Sequence, residues 1–274
     1  MQKDFHFYVT YALARKAGCS APDATTIAWA NEYTDRQTKE DIYEVQTQCP
    51  KIDRWDDPQI QFTVLVPFHF IPGDDEKWPW KTTRNSPRAQ MLTRAAEESQ
   101  DLYRLGIMLH ALQDTFSHEG FSGWREDKNS CYPWYYLKSL IPNVGHAEML
   151  ALPDMVDRVW RDPRTNKTVN NRIRALAAAK ATFKSLVRAR GNNANTTMPP
   201  SLERQLRRIF NLQNYDARKR ELRKLSGNPK IDYAKTDKRI GKDKKKKAAF
   251  VRAASAHLSA AVRTFEGLPR TPPS

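Results

Sequence analysis

The chain has 274 residues, with 46 Lys and Arg against 31 Asp and Glu, a net charge of +15 and 3 cysteines. That length buries a sizeable core, as one large domain or as a domain with an appendage. Three scattered cysteines (Cys19, Cys49, Cys131) exclude a disulfide framework and favour a reducing compartment. No apolar run of about 18 residues occurs, which excludes a membrane-spanning helix, and MQKDFHFYVT lacks the apolar core of a signal peptide. The expectation is a cytoplasmic protein, or one exported by a dedicated secretion system, as an antibacterial toxin would be.

Helical signals dominate the chain in order. Phe5, Val9, Leu13 and Ala17 recur at four-residue steps and end at Gly18, which predicts a first helix. Ser20, followed by Pro22 and Asp23, reads as the capped start of a second, running towards Asp35. The segment IQFTVLVPFHFIPGDD is rich in β-branched residues and closes on Pro and Gly, so it is expected to be extended. One long helix is predicted from Arg88 to about His118, with Met91, Leu102, Leu105, Leu109, Leu112 and Phe116 as its apolar stripe and Gly106 as a point of close helix crossing. Residues 120–145 form an aromatic, turn-rich connection. Helices follow near 169–190, 200–225 and 244–265, separated by GNNANTTMPP and by SGNPKIDYAKTDKRIGKDKKKK, both loop-like in composition. The fold class is all-α, with function carried by long loops of the first half.

Charge is unevenly placed. Residues 1–157 hold 16 basic and 23 acidic residues, a net −7, whereas residues 158–274 hold 30 and 8, a net +22. An acid-rich half suits cation binding. A strongly basic half is drawn to nucleic acid or an anionic membrane surface, or is simply a solvated face. The division suggests residues 1–160 as a metal-binding catalytic core and residues 161–274 as a basic helical region packed on it or appended to it.

The chemistry begins with His110, Asp114 and His118 in LGIMLHALQDTFSH. A helical step of four residues drifts by only about 40°, so the three side chains share one face. Two imidazoles and a carboxylate on one stripe are what a divalent metal such as zinc asks of a helix. A lone histidine on an apolar face is usually a satisfied core residue, but five of the six histidines (His6, His69, His110, His118, His146) fall in the first 146 residues. Asp4 and His6 stand together in DFH, Asp35 closes the second helix, and His146 opens VGHAEMLALPD. His257 has no acidic neighbour and reads as structural.

The order of His6, Asp35, His69, His110 with Asp114, His118 and His146 resembles the zinc-dependent phospholipase C / P1 nuclease superfamily, over roughly residues 4–160. The resemblance implies an all-α domain holding two to three Zn2+ ions and hydrolysing phosphoric esters. Carried over residue by residue, Asp35, His69, His110 and Asp114 would hold one ion. His118, His146 and a downstream carboxylate would hold a second, and His6 with a bridging Asp114 a third. Asp35 would also orient the attacking water. The chain departs from the family pattern in three places. His118 follows His110 sooner than expected. Leu150 stands where a carboxylate is expected, which passes the role to Asp154 in preference to Glu148. The family's N-terminal amine ligand has no counterpart visible in a chain that starts with Met, which passes that role to Asp4.

The substrate is less legible. Trp78 and Trp80 in KWPWK, with Trp124, Tyr132, Trp134, Tyr135 and Tyr136, suit a membrane interface or base stacking, or simple packing under loops. A Trp-Pro-Trp flanked by lysines is hard to bury, so a phospholipid substrate is favoured, with Lys242 and Lys244 to Lys247 holding an anionic surface nearby. A P1-type nuclease on single-stranded nucleic acid is the alternative. A non-catalytic, metal-stabilised interaction or toxin-accessory protein is the other, and an inhibitor protein would be a natural partner of a toxin.

Overall fold

The computed structural model describes residues 1–37, 45–49, 54–131, 142–192 and 195–269. The chain is mostly helical. It opens on a π-helical segment, Asp4–Val9, that runs directly into α1 (Thr10–Lys16). All six π-segment residues are buried, and the wide turn is a geometry often found at functional sites. Next comes α2 (Ala21–Tyr33), capped as expected by Ser20 with Pro22 in its first turn.

The segment expected to be extended is helical. Pro58–Ile60 leads through a π-helical turn, Gln61–Leu65, into α3 (Val66–His69). Pro67 lies inside this continuous helical run, just after the π-helical turn, where it cannot donate a backbone N–H to the preceding turn. Val66 and Phe68 are fully buried, and tertiary packing overrides the β-branched preference.

The single helix expected from Arg88 to His118 is two: α4 (Pro87–Glu98) and α5 (Leu102–Ser117). Gln100 sits at φ 56°, and the Asp101 carboxylate accepts from Tyr103 N and Arg104 N at 2.8 and 3.2 Å, restarting the helix. The break shifts the helical frame, and Met91, placed in the apolar stripe by sequence, faces solvent.

Helix α5 is the centre of the molecule. Every residue from Leu105 to Ser117 is buried, because α2, α3, α4, α6 (Asn171–Ala189) and α10 (Lys244–Thr264) pack around it. The expected close crossing at Gly106 is present: a Cβ there would lie 2.5 Å from Ile27 O and 2.7 Å from Ala30 Cβ.

A short antiparallel hairpin, β1 (Val159–Arg161) and β2 (Thr168–Asn170), pairs Trp160 with Val169 and hands the chain to α6. The predicted 200–225 helix is also two, α7 (Pro200–Phe210) and α8 (Tyr215–Leu225), with Asn214 capping the second. Within the segment read as loop lies α9 (Tyr233–Ile240), capped by Asp232. One apolar cluster runs from Met1 to Phe265 and draws on both the acidic and the basic halves. No helix among the described residues is long and apolar enough to cross a membrane.

Trp80 and Trp124 take the alternative of packing inside the protein, against the surface expectation for Trp-Pro-Trp. Trp80 and Trp124 are 1 % and 3 % exposed and pack on each other at 5.3 Å, with Phe62 and Phe265 closing the cluster. The Trp80 indole donates to Pro269 O at 3.1 Å, so the polar edge is satisfied inside the protein. Trp78 donates its indole N–H to Glu126. Tyr132, Trp134, Tyr135 and Tyr136 lie outside the described residues.

Candidate metal centre

Five histidines and three aspartates converge from separate elements. The π segment supplies His6, the turn after α2 supplies Asp35, and the end of α3 supplies His69. His110 and Asp114 lie on α5, and His118 is its C-terminal cap. His146 precedes the short turn Ala147–Met149, and Asp154 ends the turn Leu152–Asp154.

Each imidazole is tied through one nitrogen. His110 Nδ1 donates to Asn31 O at 2.9 Å, His69 Nε2 to Thr47 O at 2.8 Å, and His118 Nδ1 to His69 O at 2.8 Å. His146 Nδ1 donates to Leu150 O at 2.9 Å, and His6 Nδ1 to Gln113 Oε1 at 2.9 Å. These oxygens accept only, so each fixes a proton on the ring nitrogen it faces. The remaining nitrogen of each ring points into the cluster and is a bare lone pair when the ring is neutral.

Those lone pairs face other acceptors. His110 Nε2 lies 3.1 Å from His69 Nδ1, 3.2 Å from Asp114 Oδ2 and 3.5 Å from Asp35 Oδ1. His69 Nδ1 is also 3.2 Å from Asp114 Oδ2. His6 Nε2, fully buried and without a hydrogen-bond partner, sits 3.3 Å from Asp114 Oδ1 and 3.9 Å from Asp35 Oδ2. His118 Nε2 and His146 Nε2 face Asp154 at 3.0 and 3.4 Å. Acceptors packed against acceptors are unfavourable unless a cation stands among them. Ligands around a small tetrahedral cation stand roughly 3.3 Å apart when each bond is about 2.0–2.1 Å. The observed separations fit that spacing. The second nitrogens held by carbonyl oxygens are the outer support that metal-binding imidazoles need.

The donors therefore form three groups able to hold a metal ion: Asp35, His69 and His110; His6, His110 and Asp114; and His118, His146 and Asp154. Asp114 lies between the first two, one carboxylate oxygen towards each. The stripe read from sequence divides, because α5 ends at Ser117 and turns His118 towards Asp154. Asp154 is the carboxylate brought to His118 and His146, while Glu148 turns to Cys131 N.

Asp4 stands apart from the donors. Its carboxylate is buried against the Arg218 guanidinium at 2.6 Å, an ion pair with a residue of α8. The nitrogen of Met1 occupies the place expected for it, bonded to Asp114 and 3.2 Å from Asp154 Oδ1. Burial opposes its charge, but Asp114, Asp154 and Asp35 outweigh that and raise the amine to about 11.

The same charges set the other groups. Burial pushes Asp114 and Asp154 up, yet the amine and the neighbouring imidazoles hold both well below the usual carboxylate range. Asp35 is lowered too, against burial, by His110, His6 and His69. Burial lowers His110 to about 4, reinforced by His6, and lowers His146 to about 4 despite Asp154.

A protein-family model described as a family of unknown function (DUF6765) matches residues 1–265. The chain belongs to the DUF6765 family. No curated protein matches it, and neither does any solved structure.

In this DUF6765 chain six of the donors, Asp35, His69, Asp114, His118, His146 and Asp154, line a cleft of about 320 Å³. Asp35 and Asp154 are the carboxylates open to it, with side chains 28 % and 20 % exposed, whereas Asp114 is sealed at 2 %. Trp55, Leu65, Phe70, Val144 and Leu150 form an apolar wall. Phe70 stacks on the His118 ring at 4.5 Å between centroids, and Gly145 leaves room for it. Gln48, which donates to Asp35 Oδ1 at 3.2 Å, and the wall residues were not marked by sequence, since neither a lone glutamine nor scattered apolar residues carry a spacing signal. A buried donor set beneath an open, apolar-walled cleft can bind a cation and present it to a ligand.

Proposed function

We propose that this DUF6765 protein is a zinc-dependent phosphodiesterase of the phospholipase C / P1 nuclease kind, acting on phospholipid head groups. The observation that carries the reading is the meeting of His110 Nε2, His69 Nδ1 and Asp114 Oδ2 within 3.2 Å, with the other nitrogen of each of the two rings held by a backbone carbonyl. Nitrogen and carboxylate donors without a positioned thiolate favour a catalytic zinc site over a closed structural one.

Asp35, His69, His110 and Asp114 would hold one ion and His118, His146 and Asp154 a second. His6 and the bridging Asp114 would hold a third. Bound zinc supplies a water acidified from 15.7 to about 7 and neutralises charge on the phosphoryl oxygens. The chain's own groups do the rest. Asp35, oriented by Gln48 and part open to the cleft, would take the proton of an attacking water. The apolar wall of Trp55, Phe70 and Leu150 excludes bulk water and accepts the non-polar body of the substrate.

That wall is what favours a lipid, since Trp80 and Trp124 no longer argue for one. The +22 charge of residues 158–274 favours the second reading, a nuclease. Zinc-loaded protein should release head groups from phosphatidylglycerol or phosphatidylcholine vesicles, and His110→Ala or Asp114→Ala should abolish the release. Cleavage of single-stranded DNA or RNA alone would replace the lipid reading with the nuclease. Cleavage of neither, by protein carrying at least two zinc ions, would leave a non-catalytic protein.

A further inference from the structure

The basic half reaches the centre through one side chain. Arg218 on α8 is 2 % exposed, and its guanidinium binds two buried carboxylates from different segments. Nε meets Asp4 Oδ2 at 2.6 Å, and Nη1 meets Asp157 Oδ1 at 3.3 Å and Leu212 O at 2.7 Å. Asp4 and Asp157 are 1 % and 6 % exposed. Asp4 stands two residues before His6 and three after Met1, and Asp157 stands three after Asp154. The two segments so gripped are those that meet at the cluster, where Met1 N lies 3.2 Å from Asp154 Oδ1. His69 and His110 are carried by α3 and α5 and Asp35 by the turn after α2, whereas the polar partners of the guanidinium, Asp4, Asp157 and Leu212 O, lie on other segments.

We propose that Arg218 is a positioning residue for the second donor set: by bridging Asp4 and Asp157 it fixes the spacing between the Met1–His6 segment and the Asp154 segment. The proposal rests on the metal reading above. A planar guanidinium donates to Asp4 and to Leu212 O along fixed directions while its charge lies against Asp157, an arrangement that an ammonium does not reproduce. A merely charge-balancing arginine would be replaceable by lysine. A purely stabilising triad would be replaceable as a whole by neutral residues, because removing all members of a buried ion cluster often leaves stability intact, whereas removing one strands the others.

The test compares wild type, Arg218→Lys and the triple variant Asp4→Asn/Asp157→Asn/Arg218→Met, by zinc content, chelator-competition titration and thermal unfolding. The triple variant keeps the fold measurable if Arg218→Lys alone does not fold. A positioning role predicts that the folded variants keep the tightest zinc of the wild type and lose, or bind about 10–100-fold more weakly, the ion of the His118–His146–Asp154 set. Wild-type stoichiometry and affinities in either folded variant would overturn the proposal. Wild-type protein that binds no zinc at all would instead overturn the metal reading, and the proposal with it.

Discussion

Gly106→Ala probes how tightly the site depends on one helix crossing. The added Cβ would meet Ile27 O at 2.5 Å, Ala30 Cβ at 2.7 Å and Asn31 N at 3.1 Å. Ordinary contact begins at 3.4 Å, so α2 must retreat from α5 by about 0.9 Å, because two of the three obstacles are backbone atoms. Overpacking of this kind costs about 1–3 kcal/mol, and the better helix propensity of Ala returns at most about 1 kcal/mol. A net loss of about 1–2 kcal/mol corresponds to a fall in Tm of about 2–8 °C for a chain of this size. The same retreat carries Asn31 O, which anchors His110, and Asp35 beyond it. A displacement near 1 Å can cost about a hundredfold in rate, so zinc affinity and hydrolysis should fall well beyond what the lost stability explains. Calorimetry of the chelated protein, zinc titration and a vesicle assay check the three effects. A variant as stable as wild type, with unchanged zinc affinity, would refute the reasoning.

Three further outcomes are expected. His257 is buried, donates Nε2 to Pro67 O at 2.9 Å and is lowered by burial to about 4. Its folded value lies below the unfolded 6.5, so its contribution is complete above about pH 6.5 and is lost as the pH falls towards 4, by up to about 3 kcal/mol. Urea unfolding of chelated His257→Gln across that window should show a shallower pH slope than wild type, and an identical slope would count against it. Asp114→Asn should remove most of the thermal stabilisation that zinc gives, which for a hundredfold excess over Kd is about 2.7 kcal/mol per site; an undiminished rise in Tm would exclude the bridging role. Leu150 is 70 % exposed at φ 51°, strain of about 1–3 kcal/mol for a residue with a side chain. Leu150→Gly should raise Tm slightly while increasing KM for vesicles, and a lowered Tm would show that the turn is not strained.

The all-α class and the pairing of His110 with Asp114 were legible because both are written in local spacing, whereas the other donors came forward through a resemblance that also put forward Asp4. The pattern at Ser20 and Pro22 places the start of α2, and the ordered histidines pick out the residues that later meet. What escaped is non-local. Apolar periodicity runs on across Gln100 and again across Asn211–Asn214, so two breaks vanish into longer predicted helices, although Asp101 and Asn214 carry the capping chemistry that makes them. The β-branched run before His69 reads as a strand until its packing under α10 and against α5 is known. Asp4 passes for a ligand because its partner, Arg218, lies 214 residues away. Trp80 passes for a surface residue because its acceptor, Pro269 O, lies 189 residues away.

The supports of the rings are the least legible part and the most consequential. Asn31, Thr47, His69 and Leu150 serve through backbone carbonyls, which no residue type announces. Gln113, which holds His6, is itself fixed by the amide of Asn31 at 3.2 Å and donates to the hydroxyls of Thr10 and Thr182 at 2.9 and 3.2 Å. Turning the rings of His6, His69, His110 or His118 away would orphan a buried acceptor, at about 1–3 kcal/mol each. The rings therefore cannot relieve their facing lone pairs by rotating, and relief must come from a cation or a proton. His6 and His69 show the second route: burial opposes their charge, but Asp114 and Asp35 raise both above the ordinary value. Protons and metal thus compete for the same nitrogens, and metal affinity should weaken as pH falls. Because a core running from Met1 to Phe265 holds the supports in place, the donor geometry belongs to the fold and not to the ion. Removing metal from such a site should cost activity and some stability but leave the helices formed, in contrast to a small domain that folds only around its zinc.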